Sequence, residues 1–178
     1  MANKVAILTD STCDLGNNLL KEYNIDFIPL HVNFDNESYD DLVNINLEQL
    51  YQKVDEKGKL PTTSCPSQME IKVFLEKYLN RGYDIVYTGI SSEMSSTFHN
   101  FKMVSEELEQ DRIFLVDSGN FSTGIGLLLL KAAKFRDQGL SAREIAKQLE
   151  DIVPRIKVQF VLDRLDYMHK GGRCSSVA

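Results

Sequence analysis

Hydrophobic positions along the chain follow two periods, and the periods alternate. Short apolar runs at residues 5–8, 27–34, 85–90, 113–116 and 158–162 have the length and composition of buried strands. Between them, apolar residues recur three and four positions apart. Ile71, Phe74, Leu75, Tyr78 and Leu79 form one helical stripe, preceded by Ser67 and Glu70 at capping-box spacing. Met94, Phe98, Phe101, Val104 and Leu108 form a second. Ser141 and Glu144 cap a third, carrying Ile145, Leu149 and Ile152, and Asn46 with Gln49 starts a fourth with Leu47, Leu50, Tyr51 and Val54. The run from Ser122 to Ala133 is apolar nearly all round and predicts a helix buried between layers. Its Gly124 and Gly126 suit close packing on a sheet, or a slot for something slim and apolar.

Strands alternating with helices of ten or more residues predict an α/β fold with a largely parallel sheet and helices on both faces. Ligands of such sheets sit beyond the carboxyl ends of the strands, which directs attention to the loops after Leu8, Ile90 and Val116. The pattern divides into an amino-terminal α/β domain over residues 1–155 and the start of a second α/β domain over 156–178, with a strand at 158–162 and a short helix at 164–170. The expectation is that this second domain is only begun.

Composition narrows the functional classes. Twenty basic against 26 acidic side chains give a formal charge of -6, which disfavours a polyanion-binding surface and hence nucleic acid. Hydrophobic content of 43% is that of a globular chain. Cys13, Cys65 and Cys174 are widely spaced, with no Cys-x-x-Cys pair, and favour a reducing compartment over a disulfide framework or a zinc site. The first ten residues lack the long apolar stretch of a signal peptide, and the residues from Phe121 to Leu130 are too few to span a bilayer. A cytoplasmic protein without a transmembrane segment is expected.

Four segments are rich in hydroxyls: Thr9-Asp-Ser-Thr12, Thr62-Thr-Ser64, Ser91-Ser-Glu-Met-Ser-Ser-Thr97 and Asp117-Ser-Gly-Asn-Phe-Ser-Thr123. Three follow predicted strands, and the second and third run into helices. Hydroxyls beside helix-end amides make an anion pocket that needs neither metal nor cationic side chain; each alone reads first as an ordinary cap or turn residue, and it is the convergence of several loops at one sheet edge that points to a site. Familiar catalytic motifs do not fit. Gly119 to Gly124 has the glycine spacing of a phosphate loop, but Ile125 and Gly126 stand where Lys and Ser or Thr are required. There is no Gly-x-Ser-x-Gly elbow, and His31, His99 and His169 have no chelating spacing. Asp10 ends the first strand where an aspartyl nucleophile could stand, but no second aspartate follows two residues on, so a hydrogen-bonding role is favoured. Cys65, beside Pro66 near a helix start, has no Lys or Arg within three residues and reads as packing.

Taken in order, Thr9-Asp-Ser-Thr-Cys-Asp-Leu15, Pro61-Thr-Thr-Ser-Cys-Pro-Ser67, Ile90-Ser-Ser-Glu-Met-Ser-Ser-Thr-Phe98, Val116-Asp-Ser118 with the run to Leu128, and Phe160-Val-Leu-Asp-Arg-Leu-Asp-Tyr-Met-His-Lys-Gly-Gly-Arg173 resemble the DegV family of bacterial fatty-acid-binding proteins. The resemblance implies a two-domain α/β protein that holds a long-chain fatty acid such as palmitate. It implies no cofactor or catalytic residue of its own, and a role in lipid transport or fatty acid metabolism. It also implies a partner, the ATP-dependent catalytic subunit of a fatty acid kinase, which phosphorylates the bound acid. By the same resemblance Thr63, Ser64 and Ser95 would grip the carboxylate with Ser92 close by, and Arg173 would meet the acyl phosphate or the kinase. Two positions depart from the family pattern: Ser96 replaces a glycine after Ser95, and Cys65 replaces a more usual glutamine. The rival expectation is an acyl- or phosphoryl-transferring enzyme with a hydroxyl or Asp10 as nucleophile, weakened by the lack of a base or metal cluster.

Overall fold

The computed structural model describes residues 4–108, 110–163, 165, 168 and 169. The described residues form two compact units: a larger one reaching to Ile28 and resuming over Cys65–Val158, and a smaller one over Pro29–Ser64 and from Gln159 onward. In the larger unit, β1 (Lys4–Asp10), α1 (Asn17–Glu22) and β2 (Ile25–Ile28) come first. The smaller unit contributes β3 (His31–Phe34), β4 (Glu37–Asp40), α2 (Leu47–Lys57) and β5 (Thr62–Ser64). The larger then continues with α3 (Gln68–Leu79), β6 (Tyr83–Gly89), α4 (Thr97–Glu107), β7 (Ile113–Asp117), α5 (Thr123–Asp137) and α6 (Ala142–Ile152).

The larger unit is built on a four-stranded sheet of order β2-β1-β6-β7, every pair parallel. Side chains alternate across it. Ile7, Val86 and Val116 face a core with α1, α5 and α6, in which Leu128, Leu129, Ile145 and Leu149 are fully buried. Leu8, Ile85, Tyr87 and Ile113 face the opposite layer, packing with Ile71 and Leu75 of α3 and Phe101 and Val104 of α4. The capping boxes expected at Ser67 and Glu70, at Ser141 and Glu144, and at Asn46 and Gln49 are all formed.

The smaller unit holds an antiparallel sheet of order β4-β3-β5 against α2, with Val32, Phe34 and Ile45 at its core. It corrects two sequence expectations. The apolar run 27–34 is two strands in two sheets, divided at Pro29, which has no N–H to donate to a ladder. Thr62–Ser64 is a strand paired to β3, rather than a loop leading into a helix. Residues 158–162, expected as a strand, take neither helix nor strand, because no neighbouring strand pairs with them among the described residues. Of the helix expected at 164–170 most positions, and Arg173 itself, lie outside the described residues.

Gly124 and Gly126 serve packing. A Cβ at Gly126 would stand 3.0 Å from the Cys13 carbonyl oxygen, and one at Gly124 would stand 2.6 Å from Val158. The slot that the two glycines allow is filled by the protein itself.

Candidate functional site

The strand order places a topological switch point between β1 and β6: the chain leaves β1 to one side for β2 and returns on the other side. Two carboxylates close the strand ends there. Asp10, the last residue of β1, is fully buried, and four donors surround it. Its Oδ1 accepts from the Thr12 amide at 3.0 Å and from the Thr12 hydroxyl, and its Oδ2 accepts from the Tyr87 hydroxyl and the Ile90 amide, both at 2.9 Å. A carboxylate so enclosed is a structural peg with no approach for a substrate, which removes the main argument for Asp10 as a nucleophile. Burial, followed by the nearby Asp10 charge and hydrogen bond, pushes the Tyr87 phenol well above its ordinary range.

Asp117, the last residue of β7, is the second peg. Its Oδ1 accepts from the amides of Ser92 at 3.2 Å and Gly119 at 3.1 Å, and its other oxygen accepts the Ser92 hydroxyl proton. Between the two pegs, the Ser91 amide donates to the Asn120 carbonyl at 2.9 Å. Three consecutive amides, of Ile90, Ser91 and Ser92, are therefore held by two segments, the end of β1 and the end of β7 with the loop after it. The loop after β6 is pinned before it turns into α4, because the Met94 and Ser95 amides both return to the Ser91 carbonyl.

At the end of this turn the half-buried Ser95 hydroxyl accepts from the Thr97 amide at 3.2 Å and lies 2.8 Å from the Thr97 hydroxyl. Ser96 has ordinary right-handed helical backbone angles, so its side chain does not strain the turn. Its hydroxyl lies 3.4 Å from the sulfur of Cys65, which also accepts from Asn100 Nδ2 at 3.2 Å. The two positions that depart from the DegV pattern thus touch each other, and Asn100 further ties the segment down through the Pro66 carbonyl.

The expected hydroxyls divide between the units. Ser92 and Ser95 share the pinned loop of the larger unit, where the Ser92 proton is already given to Asp117. Thr63 and Ser64 lie exposed on β5 of the smaller unit. As strand neighbours they point to opposite faces: Thr63 is opposite Val32, and Ser64 accepts from Asn33 Nδ2 at 3.1 Å. On the Ser64 face His31 pairs with Asp40 at 2.9 Å. Sequence reading missed Thr97, Asn100, Tyr87 and the peg role of Asp117. The Ser-x-Thr spacing and the aspartate closing a strand were visible signals for Thr97 and Asp117. Among the described residues no group of three or more His, Cys, Asp or Glu could hold a metal ion, and no helix is long and apolar enough to cross a membrane.

An open parallel sheet whose strand order reverses at a switch point defines the class as an open α/β fold. The model of the DegV family, described as uncharacterised, matches residues 4–178, and the chain belongs to that family. It is 38% identical over 175 residues to a DegV domain-containing protein of Clostridium acetobutylicum, covering 98% of this chain and 63% of the relative. It is 37% identical over 172 residues to one of Caldanaerobacter subterraneus, covering 97% and 61%. Among solved structures, a DegV family protein of Thermus thermophilus described as binding fatty acid matches with a TM-score of 0.84 at 28% identity, over 96% of this chain and 60% of that one. DegV of Bacillus subtilis, described as a fatty acid binding protein, matches with 0.83 at 28%, over 97% and 61%. The chain therefore spans about six-tenths of the length of its relatives. Its parallel-sheet α/β fold is that of the family's amino-terminal domain.

Proposed function

We propose that this chain is the amino-terminal part of a fatty acid carrier: it binds a long-chain acid such as palmitate and presents the carboxylate to a separate ATP-dependent kinase subunit in the cytoplasm. The observation that carries the reading is its fold match to DegV proteins described as fatty-acid-binding. The pinned loop around Ser95 supports it. Thr63, Ser64 and Ser95 are the head-group hydroxyls in this proposal, Ser92 fixes the loop, and Arg173 meets the acyl phosphate or the kinase. Residues 156–178 enter a second domain. Neutral donors suffice for a carboxylate, because hydrogen bonds to a charged group contribute about 1.5–3 kcal/mol each. Each buried methylene of the tail adds about 0.8 kcal/mol and sets affinity.

The test is a titration of palmitate and its methyl ester against the full-length protein and its Thr63→Val and Ser95→Ala forms. Loss of a head-group hydroxyl should weaken the acid about tenfold to a hundredfold and the ester far less. Equal losses for acid and ester, or none, would remove these hydroxyls from the site.

A further inference from the structure

The Thr97 hydroxyl is fully buried, and Ser95 Oγ is its one hydrogen-bond partner among the described residues. That isolation fixes the direction of the bond. If Ser95 donated to Thr97, the Thr97 proton would be left buried with no acceptor, an unfavourable state. If Thr97 donates, its proton is satisfied. Ser95 Oγ then accepts twice, from the Thr97 amide and from the Thr97 hydroxyl. With both lone pairs filled, the half-buried Ser95 hydroxyl has only its proton left to offer outward. A serine at a binding loop normally chooses between donating and accepting. Here Thr97, the first residue of α4, removes the choice.

Resting on the reading of Ser95 as a head-group hydroxyl, we propose that Thr97 is a positioning residue that locks Ser95 as an obligate hydrogen-bond donor and so selects an acceptor-only head group, such as an ionised carboxylate, over an alcohol. Thr97 does not touch the ligand; it acts through Ser95. A carboxylate offers only acceptors and matches a donor-only hydroxyl. An alcohol head group can also accept, but it brings a proton for which this loop position supplies no acceptor.

The experiment compares palmitate with hexadecanol and methyl palmitate on the full-length protein, its Thr97→Val, Thr97→Ala and Thr97→Ser forms, and the Ser95→Ala form alone and combined with Thr97→Val. Folding is checked by circular dichroism. Thr97→Val, or Thr97→Ala if the valine form folds poorly, should weaken palmitate about three- to tenfold while leaving hexadecanol within about twofold. Thr97→Ser should restore palmitate binding. On the Ser95→Ala background the Thr97 change should have no further effect, since coupled residues are not additive. Palmitate labelled with ¹³C at the carboxyl carbon should show the same resonance shift in Thr97→Val as in Ser95→Ala. Unchanged palmitate affinity in Thr97→Val, equal losses for all three ligands, failure of Thr97→Ser to rescue, or an additive loss in the double form would each overturn the proposal. If the parent protein binds no palmitate, or Ser95→Ala binds it as well as the parent, the reading of the site itself fails, and those two arms show that separately.

Discussion

Gly89→Ala isolates the peg at the end of β1. Gly89 has backbone angles open to any residue, so conformational strain plays no part, and an ordinary strand glycine replaced by alanine would stabilise by about 0.4–1 kcal/mol. Here an added Cβ would lie 2.1 Å from Asp10 Oδ2 and 2.3 Å from the Tyr87 hydroxyl oxygen, distances no Cβ tolerates. Either the carboxylate moves off its donors or β6 moves off β1. The first route forfeits the bonds from Tyr87 and Ile90 to a buried charged acceptor, about 1.5–3 kcal/mol each, for a total of about 3–6 kcal/mol. For a chain of this size, each kcal/mol lowers the midpoint by roughly 2–4 °C, so a fall on the order of 10 °C is expected. Thermal and urea unfolding followed by circular dichroism measure it, with Gly16→Ala as the control. Nothing lies within 4 Å of a Cβ at Gly16, and that change should cost at most about 1 kcal/mol, the loss expected where alanine replaces glycine at the N-cap of α1. A Gly89→Ala protein as stable as its parent would refute the account of Asp10 as a close-packed peg.

Asp10→Asn should lose about 2–4 kcal/mol in urea unfolding, because all four partners of Asp10 are donors and the new amide must face two of them; a loss below about 1 kcal/mol would contradict the peg and reopen a chemical role. The raised Tyr87 phenol means that the unfolded chain releases its proton first as pH rises, so stability should be level below pH about 10 and decline above it, with a shallower decline in Tyr87→Phe. Asp26 runs the other way: burial raises it, but hydrogen bonds from Lys77 and Tyr78 prevail and hold it below its usual range. Its contribution should be present above pH about 4 and be lost on acidification, less so in Lys77→Met; an identical acid profile in that variant would contradict the pairing.

The helices were the most legible part of the chain, because local chemistry writes their starts. Ser67, Ser141 and Asn46 each carry a capping partner three residues on, and each box forms. Three of the four parallel strands, β1, β6 and β7, were legible as apolar runs, since burial on both faces removes the alternation that would mark a half-exposed strand, whereas β2 was merged with β3 in the run 27–34. The antiparallel sheet was not. Glu37–Asp40 is too polar to read as a strand, and Thr62–Ser64 has the composition of a cap; both become strands only by pairing with β3. The hydroxyl loops were visible as composition, whereas the bonds that give them shape were not. The link from Asp10 to Ile90 crosses 80 residues, and that from Ser92 to Asp117 crosses 25, separations over which local pattern says nothing about contact. The pairing of Cys65 with Ser96 lay hidden for the same reason.

The central claim is that this DegV chain carries a fatty acid. Its most direct test is mass spectrometry of lipid extracted from the full-length protein as purified, with protein quantified in the same sample. The account predicts a long-chain acid in about one-to-one ratio to protein, displaced by added palmitate. Protein free of long-chain acid that also fails to take up palmitate would contradict it.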